Sequence, residues 1–532
     1  MRRCTRNPLR GSNNQGENES GKRDHVRRNC TAYAALTVLL LIVATYFTHQ
    51  VIARRLLGRA TPGALQELQV EGESEKTVEV EVESMGGANA QCKSGYVYVY
   101  TLPKRMNYDL LQQCQGLKCE LWSHKGLGEQ AFPNPTGKEM ENLTRLFLDP
   151  NLWFKSRDFE IDITYHARLL QHPCRTEDPA KAAVFFLPFY TNVALRSVMK
   201  LRNETLANAL PDEFVAWLEK QPYFVRNGGH DHFLVLGHNA YHHMSSEGDP
   251  WGSHLLKRPA MENVTKLASF RAPWESTQMG VPYLTFFHPS TDAQIRAWQQ
   301  HVRTAQRKWR ASFIGSKKRA EGAYEHSKAA FEFRNKLMQQ CQEWDECGVL
   351  DCQDMGMGQK SVCHSPAPPL EMQITSDFCL QPSGDDPVRK STFDSIVAGC
   401  IPVFFCKNSA YYQYLWHLPA EWDSYSVFID QKEMEAGNVT LKEVLLAYSP
   451  DKIQKMQQRI IDEVLPQIII ANPENYKLVE FQDAVDRVVE GMMTKVALLR
   501  AGLKHGFPNP WDMEHLPLDQ AYSPLRMPLG TA

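Results

Sequence analysis

The sequence predicts an α/β protein of two Rossmann-like lobes facing a cleft, set behind a single N-terminal transmembrane helix and a stem. Three observations carry this. From residue 92 onward, short apolar runs alternate with amphipathic helical stretches, the pattern of a parallel sheet covered on both faces. The alternation occurs twice, over residues 92–300 and again over 301–504. Ahead of it, Thr31 to Ala53 carries no formal charge and is long enough to cross a hydrocarbon core of roughly 30 Å. With 532 residues there is room for two or three domains and a sizeable core.

In chain order, residues 1–30 hold eight Lys or Arg against three acids and read as a cytosolic tail. For residues 31–53 a cleaved signal peptide and a buried core helix compete with a signal anchor. A 30-residue pre-segment is long for a secretory leader, and no small-residue cleavage site follows the apolar run, so the anchor is expected, with everything beyond Arg54 lumenal. Residues 54–91 form the stem: Glu67 to Glu83 holds seven glutamates and one lysine, too little apolar surface to fold alone. A net charge of −2 and the lack of a basic, aromatic-interleaved patch argue against nucleic acid as a partner.

Eleven of the thirteen cysteines lie beyond the anchor. No Cys-x-x-Cys pair occurs, and the spacings suit disulfides in an oxidising compartment better than a metal site. Eleven is odd, which leaves at least one thiol free or paired between chains. Cys379 and Cys400, at apolar strand edges, read as simply buried. Asn142, Asn203, Asn263 and Asn438 are glycosylation sequons on the lumenal side.

In the first lobe Tyr96–Tyr100, Ala183–Pro188, His232–Leu236 and Tyr283–Phe287 are expected as short buried strands, with helices at Pro211–Lys220 and Thr291–Gln306. The second lobe repeats the pattern with Trp309–Ile314, Phe378–Leu380, Ile401–Phe405 and Ser426–Ile429. The helices Lys452–Leu465 and Glu480–Leu499 are expected to brace the two lobes. Residues 505–532 are proline-rich and expected to be irregular.

The most informative stretch runs from Ser376 to Phe405. A strand edge leads into the loop Pro382-Ser383-Gly384-Asp385-Asp386-Pro387 and then Arg389 and Lys390. Ser391 caps a helix carrying Phe393, Ile396 and Val397, Gly399 stops it, and a second strand follows. A loop and helix N-terminus at the carboxyl edge of a parallel sheet form an anion site, and a diphosphate is its natural occupant. Asp394 suits the hydroxyls of a nucleotide ribose. Two readings stand at this point: that nucleotide site, or a capping pair of Ser391 and Asp394 beside a solvated face of Arg389 and Lys390.

This stretch, with its continuation Asn408 to Pro419, resembles the plant exostosin-like glycosyltransferases, glycosyltransferase family 47, most of all the xyloglucan galactosyltransferase clade. The same resemblance extends through CKSGYVYVYTLP (Cys92–Pro103), VFFLPFY (Val184–Tyr190), NGGHDHFLV (Asn227–Val235), VPYLTFFHP (Val281–Pro289) and RKWRASFIG (Arg307–Gly315). It implies a GT-B fold, Golgi residence as a single-pass type II membrane protein, and inverting transfer of galactose, or galacturonic acid, from a UDP-sugar to xylosyl branches of xyloglucan. A complex with other Golgi glycosyltransferases is the partner it suggests. A lumenal carbohydrate-binding scaffold of the same fold, and a transferase for another cell-wall polysaccharide, are the competing expectations. Many family members have two arginines where this chain has Arg389-Lys390, and lysine offers no bidentate phosphate contact.

Gly315 and Lys317, in the turn after Trp309–Ile314, are expected to reach the diphosphate from the opposite side, or else to form an ordinary solvated loop. Asp-x-Asp occurs nowhere in the chain, so no metal cofactor is expected, and cations with the helix dipole would stabilise the leaving diphosphate. An inverting transfer needs a proton acceptor on the first lobe. Asp231 and His232 are the candidates, against a purely structural role as turn brace and core histidine. Trp122, Tyr190, Trp251 and Trp274 are candidates for stacking on sugar rings.

Overall fold

The computed structural model describes residues 92–502, apart from 114–116, 158–159, 238, 246–247, 249–251, 274, 317–327 and 353–360. The expected cytosolic tail, anchor, stem and C-terminal tail, and also Lys317, Trp251 and Trp274, lie outside the described residues. Among the described residues no helix is long and apolar enough to cross a membrane.

Two parallel sheets organise the chain. The first contains β1 (Tyr96–Val99), β2 (Arg175–Thr176), β3 (Ala182–Phe186), β4 (His232–Leu236), β5 (Thr265–Ala268) and β6 (Gln278–Gly280), in the order β2-β1-β3-β4-β5-β6. The second contains β7 (Trp309–Gly315), β8 (Cys347–Asp351), β9 (Ser376–Gln381), β10 (Ile401–Phe404) and β11 (Val427–Phe428), in the order β11-β10-β9-β7-β8. Each sheet starts at an interior strand, winds one way and then reverses. Topological switch points therefore fall between β1 and β3 and between β7 and β9, where ligands bind at the carboxyl ends of open α/β sheets.

The helices that position the site are α1 (Ile161–Leu170), α2 (Asp292–Arg303), α3 (Lys328–Gln342), α4 (Lys390–Val397), α5 (Pro450–Arg459) and α6 (Ala484–Arg500). A Thr291/Gln294 capping box starts α2, and its Trp298 donates Nε1 to Val397 O at 2.9 Å, locking it to the second lobe. The last helix returns to the first sheet, where Val485, Val488, Val489 and Met492 bury against Val97, Val184 and Phe233. Its cap, Asp483, shares the wholly buried Arg168 of α1 with Asp486, at 2.8 and 2.7 Å.

The expected strand Tyr283–Phe287 is not one. It is a buried extended segment bounded by Pro282 and Pro289, and its contact of strand type is an isolated bridge from Phe287 to Trp153. Proline cannot donate to a ladder, and Phe286 and Phe287 instead fill the core under the second sheet. β5 and β6 take the outer places in the first sheet. Cys379 and Cys400, expected to be simply buried, form a disulfide that ties β9 to the start of β10. Cys92–Cys174, Cys341–Cys347 and Cys352–Cys363 are also bonded, and Cys406 is free.

Candidate functional site

The carboxyl edges of the two sheets face each other. Asn239, just beyond β4, donates Nδ2 to Asp386 Oδ2 at 2.7 Å in the loop after β9. Gln413 Oε1 accepts the Arg271 backbone N–H at 2.9 Å, and Tyr414 Oη donates to Ser269 O at 2.9 Å. Burial pushes the Asp386 carboxyl up to about 6, while the Asn239 hydrogen bond works in the other direction.

At the second switch point the loop from Pro382 leads into α4. Arg389 is the N-cap of α4, and its guanidinium donates to Ile314 O at 3.0 Å and to Pro382 O at 3.4 Å. It therefore spans the ends of β7 and β9. Gly315 sits beside it: a Cβ there would lie 3.4 Å from Arg389 Nη2. Across the loop, Arg334 of α3 lies over Gly384 so closely that a Cβ at that position would meet Nη2 at 2.5 Å. A side chain at Gly384 would displace the Arg334 guanidinium, and the neighbouring Ser383 is buried.

Arg334 is only 8% exposed, its Nε has no partner, and among the described residues no carboxylate lies within ion-pair distance of Arg334 or Arg389. Burial, with repulsion from Arg334, drives the Arg389 pKa well below its ordinary value. Burial lowers Arg334 to about 10, Asp385 pulling the other way. Two desolvated guanidiniums that make no ion pair among the described residues suit an anion, because a buried charge is costly and an anion supplies both charge and acceptor oxygens.

Arg334 was not among the sequence candidates. Its signal was present: α3 buries Ala330, Phe331, Phe333, Leu337, Met338 and Cys341, and Arg334 falls on that same apolar stripe.

The other sequence candidates sit as follows. Lys390 and Asp394, expected at a diphosphate and a ribose, pair with each other at 2.8 and 2.9 Å, one helical turn apart. The Lys390 ammonium also lies 3.2 Å from the centre of the Phe286 ring. Ser391 is not the cap: it lies inside α4 and donates its hydroxyl to Gln381 Oε1. Asp231 and His232 stand at the amino end of β4 and are 1% and 0% exposed. His232 Nδ1 pairs with Asp231 at 2.7 Å, Nε2 with Tyr100 Oη at 3.1 Å, and the ring stacks on Phe185 at 4.7 Å. Asp231 also accepts from Asn227 and lies 3.6 Å from Arg226. Both therefore stand at the edge of the first sheet opposite to the one that faces the second sheet, and their polar atoms are engaged by neighbouring side chains.

The carboxylates at the first lobe's carboxyl edge are Glu160 and Asp162, flanking the start of α1. Asp162 Oδ2 accepts the Asn192 backbone N–H at 3.2 Å, just past β3, and burial raises its pKa to about 8. Glu160 lies 3.5 Å from Arg196. Trp122 and Tyr190 line one groove together. Of the sequons, Asn142, Asn203 and Asn438 are exposed and Asn263 is half-buried.

The sequence profile of the exostosin GT47 domain matches residues 91–445. Xyloglucan galactosyltransferase MUR3 of Arabidopsis thaliana is 34% identical over 422 residues, covering 78% of this chain and 64% of the relative. Xyloglucan galactosyltransferase XLT2 of the same plant is 36% identical over 417 residues, covering 76% of this chain and 75% of the relative. Xyloglucan-specific galacturonosyltransferase 1, also of Arabidopsis thaliana, is 33% identical over 413 residues and 58% of its length is covered.

Proposed function

The chain belongs to the exostosin GT47 family and is a glycosyltransferase, and on that premise we propose that it transfers galactose, or galacturonic acid, from a UDP-sugar to xylosyl side chains of xyloglucan with inversion. The sugar and acceptor rest on the relatives. The observation that carries the chemistry is the Arg334–Arg389 pair at the switch point between β7 and β9.

The diphosphate of the donor binds between the two guanidiniums, whose planar forks match phosphate oxygens bidentately. The amino end of α4 adds its dipole. These fixed positive groups stabilise the charge that grows on the UDP leaving group as the glycosidic bond breaks, which is where preorganised donors accelerate transfer. On this reading no divalent ion takes part, and chelator treatment leaves turnover unchanged. The attacking hydroxyl must surrender its proton to the first lobe. By position, at the edge that faces the second sheet, Glu160 and Asp162 join Asp231 and His232 as the acceptors to test; all four are at most 2% exposed, so the proton acceptor is the one whose replacement abolishes turnover without unfolding the chain.

We place residues 31–53 as a signal anchor in the Golgi membrane with the catalytic part lumenal. The disulfides Cys92–Cys174, Cys341–Cys347, Cys352–Cys363 and Cys379–Cys400 support an oxidising compartment. The deciding experiment offers a panel of UDP-sugars with a xyloglucan oligosaccharide to the full chain. Transfer from UDP-galactose or UDP-galacturonic acid is expected, with loss on Arg389→Ala. Glycan binding without transfer from any donor would replace the enzyme by a carbohydrate-binding scaffold.

A further inference from the structure

Apart from the diphosphate site, the described residues form a groove of about 410 Å³ between the Leu117–Gly126 helix, α1 and the 473–474 segment. Its walls are the rings of Tyr108, Trp122, His124, His166 and Tyr190, with Lys125 and Glu474 at the rim. Tyr108 is 46% exposed, unusual for a large ring with neighbours to pack on, and stands 5.5 Å from His166 and 6.3 Å from Tyr190. His166 Nδ1 is tied to Tyr190 Oη at 2.9 Å, while its Nε2 has no hydrogen-bond partner among the described residues.

The backbone is also set for this groove. His124 and Lys125 have φ of 46° and 59°, two successive non-glycine residues in the left-handed region, each costing on the order of 1 kcal/mol or more. His124 Nδ1 meets Glu474 at 3.1 Å, which fixes the ring over the groove.

We propose that this groove binds the acceptor glycan, a neutral chain of pyranose rings, an inference that rests on the transferase reading above. Aromatic faces suit the C–H faces of pyranoses. The free imidazole nitrogen and the tyrosine hydroxyls suit their equatorial hydroxyls. Lys125 and Glu474 balance, so nothing in the groove favours an anionic polysaccharide. The volume lies in the range of sites for compact organic ligands and accommodates a short oligosaccharide.

Three successive contacts connect the groove wall to α4. The His124 ring packs on Phe154 at 5.4 Å, Phe154 N donates to Phe286 O at 2.9 Å, and Phe286 carries the Lys390 ammonium.

The test is isothermal titration and initial-rate kinetics on the full chain with a xyloglucan oligosaccharide, and with an oligogalacturonide as the charged comparison. Tyr108→Ala and Trp122→Ala should each raise the acceptor KM and Kd about tenfold or more while leaving the Kd for UDP unchanged. Tyr108→Phe should recover most of the affinity. Unchanged acceptor KM and Kd in both alanine variants, or tighter binding of the oligogalacturonide, overturns the proposal. If the wild type binds the neutral glycan, the variants lose it and no sugar is transferred, the groove stands and the transferase reading falls.

Discussion

Arg334 is buried within electrostatic reach of Arg389 and makes no ion pair among the described residues, so replacing it by methionine should move stability and ligand affinity in opposite directions. Methionine keeps most of the aliphatic volume. Holding the guanidinium at a pKa of about 10, well below its ordinary value, corresponds to on the order of 3 kcal/mol of unfavourable charge burial. Removing that charge relieves the cost, less the packing lost with the planar group, and the ligand-free protein should melt about 2–6 °C higher. A charged hydrogen bond to phosphate contributes about 1.5–3 kcal/mol, so the Kd for UDP should rise about 10- to 100-fold. Arg334→Lys should fall between, because lysine keeps the charge and loses the fork. Differential scanning fluorimetry with and without UDP, and titration calorimetry, read both quantities. Arg310 serves as the control, since it lies 3.5 Å from Asp377: Arg310→Met should lower the melting temperature and leave UDP binding alone. A fall in the melting temperature of Arg334→Met together with an unaltered Kd would refute the anion site.

Asp231→Asn and His232→Ala should each destabilise the fold by about 1–3 kcal/mol in chemical denaturation while kcat per folded molecule holds. Burial would raise the Asp231 pKa, but hydrogen bonds from His232 and Asn227 hold it below the ordinary value of 3.8, so its contribution is present above that pH and is lost as the pH falls further. Burial lowers Lys495 to about 7, with Lys266 and Arg271 adding to the shift, from an ordinary 10.5. Between those values the unfolded chain binds more protons than the folded one, so this lysine makes stability rise with pH, by up to about 1.4 kcal/mol per pH unit. The difference in unfolding free energy between wild type and Lys495→Met should therefore shift in favour of the wild type from pH 7 to pH 9, and a pH-independent difference would contradict the burial. Replacing Cys379 and Cys400 by alanine should cost about 3 kcal/mol, as their separation of 21 residues implies for a closed loop, and a loss under about 1 kcal/mol would show that the bond contributes little.

Local signals were dependable where the sequence is self-sufficient. The apolar run His232–Leu236 is β4 without an end shifted, and Gly399, with φ +62°, stops the helix that carries Phe393 and Ile396. Hydrophobic run length misled where the burying partner is remote. Tyr283–Phe287 is as apolar as any strand, yet its rings serve the other lobe, whereas β5 includes Lys266 and β8 is only partly buried, so neither has the look of a core strand.

By itself the sequence determined that two parallel α/β units stand beyond residue 92, and that a loop rich in glycine and proline precedes a cation-tipped helix, since alternation, turn chemistry and cap signals are properties of neighbouring residues. It also determined the family, whose motifs are strings of adjacent residues. Only the tertiary structure decided which cations face the loop. Lys390, next to Arg389 in the chain, turns one helical turn back to Asp394, and Arg334, from a different helix, takes the place beside Arg389. Likewise the end of the sheet at which a titratable cluster stands cannot be read from the cluster, because it is the direction of β4 that puts Asp231 and His232 at the amino end of the sheet and leaves Glu160 and Asp162 at the carboxyl edge. Charge and motif travel along the chain, but orientation and desolvation are set by what folds against it.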